Sequence, residues 1–306
     1  MPKFNLSDVI SIKDFTKDDI LHVLKTAAKI KNLKNKDSLL KGKIMANLFF
    51  EPSTRTRFSF ESAMKHLGGE VLSFENVANT SVSKGETLYD TIKMMEKYVD
   101  VITMRHPLEG SARLAAEVSS KPVLNGGDGA NQHPTQTLLD LYTILECQHK
   151  LNNLTIALAG DLKYGRTVHS LAQALKFFNP TFYFVAPPQL KMPATIVSEL
   201  KEAKIKYKEV DNLEAVIGKV DILYMTRIQK ERFADPLDYE KVKNFYRLTV
   251  ADLSKAKKNM RVMHPLPRVN EIAQEVDETP FAYYFQQANN GLYVRQALLA
   301  LLLNKI

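Results

Sequence analysis

The stretch Phe49-Phe50-Glu51-Pro52-Ser53-Thr54-Arg55-Thr56-Arg57 passes from an apolar run into a hydroxyl-rich helix start. Residues 44–50 read as a buried strand, and residues 53–67 read as a helix stopped by the pair Gly68-Gly69. A helix that starts where a strand ends turns its unpaired N–H groups and positive dipole end toward that edge. Ser53, Thr54 and Thr56 add hydroxyl donors there, and Arg55 adds a forked cation. The result is a phosphate cradle built without a glycine-rich loop. A well-capped helix with solvated arginines is the plain alternative. Two hydroxyl–arginine pairs in four residues, directly after a buried strand, favour the cradle.

The same strand-to-helix alternation extends in both directions. A first helix is expected over 16–33, with Thr16 and Asp19 as a capping pair. Strands follow at 71–74, 101–104 and 123–124, with helices at 86–98, 111–118 and 134–146. A second series has strands at 154–159, 182–185, 222–225 and 261–263, and helices at 166–178 and 194–203. The last helix, 292–303, is apolar nearly all round and should be buried. This alternation predicts parallel α/β architecture in two domains of similar size.

Composition narrows the function. The chain has 306 residues, 45% hydrophobic and 25% charged, which excludes disorder and suits about two domains. Cys147 is the single cysteine, so an intrachain disulfide and a cysteine metal cluster are excluded, and a reducing, cytoplasmic home is expected. The longest apolar run, near 297–303, is too short to span a membrane. The first five residues lack the apolar core of a secretory signal. The formal net charge of +8 points to anionic partners. Only 11 of the 42 cations are arginines, and these fall in a few special places. A nucleic-acid partner would call for an aromatic stacking platform or a basic run on one helix, and neither is present. His106, His133 and His264 have no metal-ligand spacing, so no metal is expected.

Four segments together carry a family resemblance. They are Ser53-Thr54-Arg55-Thr56-Arg57, Met104-Arg105-His106-Pro107, Asp128 through Gln136, and His264-Pro265-Leu266-Pro267-Arg268. In order and spacing the chain resembles the carbamoyltransferases over nearly its whole length. The resemblance implies two α/β domains with the active site between them. One comprises residues 1–134 plus 288–306 and binds carbamoyl phosphate; the other, 135–287, binds the acceptor. Periodicity alone leaves open which domain the last helix joins.

Two branches of the family use aspartate or ornithine as acceptor. Aspartate brings two carboxylates and calls for cations. Arg166 opens a second-domain helix, and Arg227 follows a strand with Gln229 close behind. The ornithine branch carries His-Cys-Leu-Pro where this chain has Pro265 as the second residue, and a Ser-Met-Gly motif that this chain lacks. The resemblance is therefore to the aspartate branch, whose reaction is the committed step of pyrimidine biosynthesis. An ornithine enzyme, a nucleic-acid binder and an inactive scaffold are the competing readings.

The resemblance implies a role for each residue. Ser53, Thr54, Arg55 and Thr56 would hold phosphate. Thr56, Arg105 and His133 would donate to the carbonyl oxygen as charge develops on it. Gln136, with the backbone carbonyls of Leu266 and Pro267, would bind the carbamoyl NH2. Arg166, Arg227 and Gln229 would hold aspartate. The polar loop 79–86 would cross into a neighbouring subunit of a homotrimer, where Ser81 and Lys84 would reach phosphate and aspartate. Arg232 suits an ion pair with Glu51. No cofactor is expected, because carbamoyl phosphate arrives activated. Relatives act as free trimers, join regulatory chains or join a dihydroorotase, and a size measurement in native extract decides between these.

Overall fold

The computed structural model describes residues 4–74, 80–230, 233, 235–243 and 245–306. The chain divides into two compact units, Met1–Tyr142 with Asn290–Ile306, and Thr143–Asn289.

The first unit opens with α1 (Lys17–Lys31), where Thr16 and Asp19 close the expected capping box. There follow β1 (Ile44–Phe49), α2 (Thr54–His66), β2 (Glu70–Ser73), α3 (Leu88–Met95), β3 (Val101–His106), α4 (Ser111–Val118), β4 (Val123–Asp128) and α5 (Pro134–Gln148). Its strands are parallel in the order β2-β1-β3-β4. β1, β3 and β4 turn Ala46, Leu48, Ile102, Met104 and Val123 into a core closed by Ile92 and Ala112 of the flanking helices. The chain around Val9 lies along β4 and pairs with it at Val123 and Asn125.

The second unit continues with β5 (Thr155–Ala159), α6 (Arg166–Leu175), β6 (Thr181–Val185), α7 (Ala194–Glu202), β7 (Lys206–Val210), α8 (Glu214–Ile217), β8 (Ile222–Met225), α9 (Pro236–Val242) and β9 (Arg261–Met263). The order is β7-β6-β5-β8-β9, again all parallel. α10 (Tyr284–Leu302) ends the chain.

Three features differ from the sequence expectation. β7 is a strand absent from the sequence expectation, because only Tyr207 and Val210 of its five residues are part-buried and the exposed Lys206, Lys208 and Glu209 mask any apolar alternation. α10 starts at Tyr284 rather than 292, since its first turns carry polar residues that hid the periodicity. The units divide at Tyr142 and Asn290, beyond the expected 134 and 288. The start of α5 belongs to the first unit, where Leu139 lies against Gly291 of α10.

Both sheets have a point where successive crossovers leave in opposite directions. In the first unit it lies between β1 and β3, and in the second between β5 and β8. In open parallel sheets the carboxyl ends of the strands flanking such a point form a crevice where ligands bind.

Candidate active site

In the first unit, β1 runs into the N-terminus of α2, whose N-cap Ser53 makes no side-chain capping bond. The first-turn N–H groups and the Ser53 hydroxyl are thus not spent on each other. Thr54 and Arg55 are exposed here, while Thr56 is buried at 8%. The two arginines of the motif separate by partner. Arg57 donates through Nε to Glu61 Oε1 at 2.9 Å, one helical turn on. Glu61 also accepts from Asn47 Nδ2 at 3.1 Å and Ser73 Oγ at 3.0 Å. Burial pushes the Glu61 carboxyl up, but the bonds from Arg57, Ser73 and Asn47 outweigh it and hold it below the usual range. Arg57 is therefore a strut that ties α2 to the sheet.

Across the crossover point, Arg105 ends β3, in register with Phe49 of β1. Its Nη2 donates to Glu51 Oε1 at 2.5 Å and its Nη1 to Gly126 O at 3.2 Å. Its Nε is buried with no hydrogen-bond partner among the described residues. Glu51 thus pairs with Arg105, where Arg232 was the expected partner; Arg232 lies outside the described residues. Gly126 brings these groups together. A Cβ there would stand 3.1 Å from Met104 O and 3.6 Å from Thr56 Cγ2, so a side chain would wedge between Thr56 and the strand carrying Arg105.

After β4, Asp128 folds the chain back into α5. Its carboxylate accepts from Asn125 Nδ2 at 2.8 Å, Gln132 N at 3.1 Å, Gly110 N at 3.0 Å and Asn131 Nδ2 at 3.0 Å. The turn sets the buried His133 directly before Pro134, the first residue of α5. Gln136 is 9% exposed and donates through Nε2 to Asp140 Oδ1 at 2.9 Å. His106, the other motif histidine, is used locally. Its Nδ1 accepts from Leu108 N at 3.1 Å, and burial holds its pKa below the ordinary value.

In the second unit, Gly160 ends β5 at φ +113°, and a Cβ there would collide with Thr226 O at 2.2 Å. β5 and β8 can therefore close up at their carboxyl ends. The buried Asp161 accepts from Tyr164 N at 2.9 Å and Gln229 N at 3.4 Å, and its own N–H donates to Thr226 Oγ1 at 3.0 Å. Burial raises the Asp161 pKa against these bonds. Arg166 opens α6 after β5, and Arg227 follows β8, so the two flank this crossover point. Gln229 donates through Nε2 to Tyr164 O at 3.2 Å, which fixes its side chain to the loop before α6.

The loop 264–268 is built by its own charged residues. Leu266 N donates to His264 Nδ1 at 2.8 Å, so the ring proton is on Nε2, 2.7 Å from Glu271 Oε1. Burial holds His264 neutral, and the bond from His264 keeps Glu271 ionised against its own burial. Arg268 grips Asp277, with Nη2 to Oδ2 at 2.5 Å, and meets the Tyr284 hydroxyl at 3.0 Å. Leu266 is thereby held in the left-handed region at φ 54°, before a cis peptide to the exposed Pro267. Sequence reading missed Asp161, Glu271 and Asp277 as supports. Only Asp161 carried a signal, as an acidic residue directly after the strand 155–159.

Arg268, before burial, is the leading cause that holds the Asp277 carboxyl below the usual range. Its stabilising effect is complete above about pH 4 and is lost as pH falls through the lowered folded value. Asp277→Asn should cost about 1 kcal/mol at neutral pH. The difference in Tm from the wild-type chain should close across that acid window. A difference that stays constant down to about pH 2 would assign the effect to packing instead.

Lys84 and Ser81 lie in a short 3-10 turn, Ser81–Lys84, capped by Thr80, and both are exposed. Asn79 lies outside the described residues.

Family models match both parts of the chain. Residues 7–146 match the aspartate/ornithine carbamoyltransferase carbamoyl-P binding domain, and residues 152–302 match the Asp/Orn binding domain of the same family. The aspartate carbamoyltransferase catalytic subunit of Chromobacterium violaceum is 57% identical over 297 residues, covering 97% of this chain and 98% of that protein. The Thermococcus kodakarensis catalytic subunit is 58% identical over 299 residues, covering 97% and 96%. The catalytic subunit of M. jannaschii aspartate transcarbamoylase superposes with a TM-score of 0.91 at 50% identity, covering 98% of both chains. The Trypanosoma cruzi enzyme in complex with carbamoyl phosphate and aspartate gives 0.90 at 39% identity, covering 96% of this chain and 95% of that one. The chain belongs to the aspartate/ornithine carbamoyltransferase family.

Proposed function

We propose that this chain transfers the carbamoyl group of carbamoyl phosphate to the amine of L-aspartate, giving N-carbamoyl-L-aspartate and phosphate. This is the committed step of pyrimidine biosynthesis. The observation that carries the choice of acceptor is the pair Arg166 and Arg227 flanking the β5/β8 crossover point. Ornithine brings an ammonium side chain that two arginines would repel. Aspartate brings two carboxylates that they match.

The phosphate is held by Ser53, Thr54, Arg55 and Thr56 at the open start of α2. The aspartate amine attacks the carbonyl carbon, and charge builds on the carbonyl oxygen. Thr56, Arg105 and His133 donate to it, each worth about 3–4 kcal/mol when removed singly. Gln136 and the carbonyls of Leu266 and Pro267 take the carbamoyl NH2. The C–O bond to phosphate then breaks as the amine proton passes to the leaving phosphate oxygen, and the cradle receives hydrogen phosphate dianion. Arg166, Arg227 and Gln229 hold aspartate. Lys84 completes the site from a neighbouring copy in a homotrimer. No cofactor takes part, and the rate enhancement comes from alignment and fixed charge. The compartment is the cytoplasm, in keeping with the single free thiol of Cys147.

The test is phosphate release from carbamoyl phosphate with aspartate, with ornithine and with neither acceptor. Release should depend on aspartate. Equal or faster turnover with ornithine overturns the assignment.

A further inference from the structure

Gln136 cannot by itself choose which end of its amide to offer a ligand, since oxygen and NH2 have nearly the same shape. Its neighbour makes the choice. Asp140 is fully buried one turn along α5, and its Oδ1 accepts from Gln136 Nε2 at 2.9 Å. An ionised carboxylate only accepts, so the amide NH2 must face it and the amide oxygen must face away.

Arg295 of α10 is a buried cation whose charge is coupled to Asp140. It is 3% exposed, donates to Ser59 Oγ at 2.8 Å and Thr135 Oγ1 at 3.3 Å, and stacks over the Phe60 ring at 4.9 Å. Burial pushes its pKa down to about 10, and the Asp140 charge opposes that fall. Arg295 also ties α2 to α5 through Ser59 and Thr135.

We infer that Asp140 is a positioning residue that sets the specificity of the site: it locks the Gln136 amide so that its oxygen, an acceptor, is presented to the ligand. This rests on the role proposed above for Gln136. The class of ligand selected is an acyl phosphate whose carbonyl carries an NH2 donor. An acyl phosphate with a methyl group there leaves the Gln136 oxygen without a hydrogen bond.

Two stable analogues report on the NH2 contacts, of which only the one to Gln136 depends on Asp140: phosphonoacetamide, which carries the NH2, and acetonylphosphonate, with a methyl in its place. Calorimetry on the full chain should show the wild type preferring phosphonoacetamide by about tenfold or more. In Asp140→Asn the substituting amide can donate as well as accept, so Gln136 loses its fixed sense. The preference should then fall severalfold, mainly through weaker phosphonoacetamide binding, and the remainder is carried by the carbonyls of Leu266 and Pro267. Asp140→Asn leaves Arg295 without its counter-charge. The double variant Asp140→Asn, Arg295→Met therefore serves as a charge-neutral background and should give the same reduced ratio. A folded variant that binds both analogues more weakly but keeps the wild-type ratio overturns the proposal and leaves Asp140 a packing residue. An unchanged ratio with unchanged affinities overturns it too. If the wild type binds neither analogue, the phosphate site itself has been misread, and this proposal falls with it.

Discussion

Arg105→Ala should lower kcat/KM for carbamoyl phosphate by about 10²–10³-fold, the cost of one missing donor to a developing oxyanion. The side chain is fixed by its own neighbours. Glu51 holds Nη2, the Gly126 carbonyl holds Nη1, and the buried Nε has no partner among the described residues. The guanidinium is therefore preorganised and still has donor capacity to spend. Arg105→Lys keeps the charge but not the fork, so it should recover only part of the loss. Because Arg105 ends a strand whose interior is untouched, both variants should stay folded and melt within a few degrees of the parent. Near-normal turnover in a folded Arg105→Ala chain would reduce Arg105 to a clamp for Glu51. Initial rates over a range of carbamoyl phosphate, with circular dichroism as the folding control, decide between these.

Lys84→Ala should be nearly inactive alone, and mixing it with Arg105→Ala should restore activity. In a ring of three, the proposed composite site takes Arg105 from one copy and Lys84 from the next. A site is intact when an Arg105-bearing chain is followed by a Lys84-bearing one. Random exchange of equal amounts makes about one site in four intact, so about a quarter of wild-type activity should return. The first unit suits self-association. It leaves Phe58, Tyr89, Met94 and Tyr98 about half exposed, and the turn Ser81–Lys84 projects polar side chains rather than packing in a core. If mass spectrometry shows mixed trimers and no activity returns, the loop serves its own chain.

What the sequence disclosed and what it hid follow one physical line. The start of α2 was legible because strand, cap and cation lie within nine consecutive residues. The capping box at Thr16 was legible for the same reason. Partnerships made by topology were not. Glu51 meets Arg105 because β1 and β3 are neighbours in the sheet, and chain order does not announce strand order. His264 and Arg268 could be quoted as part of a motif, but their partners Glu271 and Asp277 lie in a loop and in the short 3-10 helix Gln274–Glu278, neither with periodicity. The early turns of α10 were hidden because their polar residues are used inside the protein; Gln287 accepts from His264 N at 2.8 Å. Gln136 could be tied to the carbamoyl group and Asp140 stands one helical turn on, yet nothing in the sequence brings Arg295 of α10 to the same surroundings.

β7 gives the surplus positive charge a different meaning. Lys206 and Lys208 are exposed on the outermost strand of the second sheet, whose far side offers unpaired backbone groups to any passing strand. A second chain pairing there would have to strip water from both ammonium groups and set its own side chains against them. The charge that first suggested a polyanion partner thus acts as a solubility guard. It lets a sheet with an open margin stay dispersed at the concentrations a biosynthetic enzyme reaches in a cell.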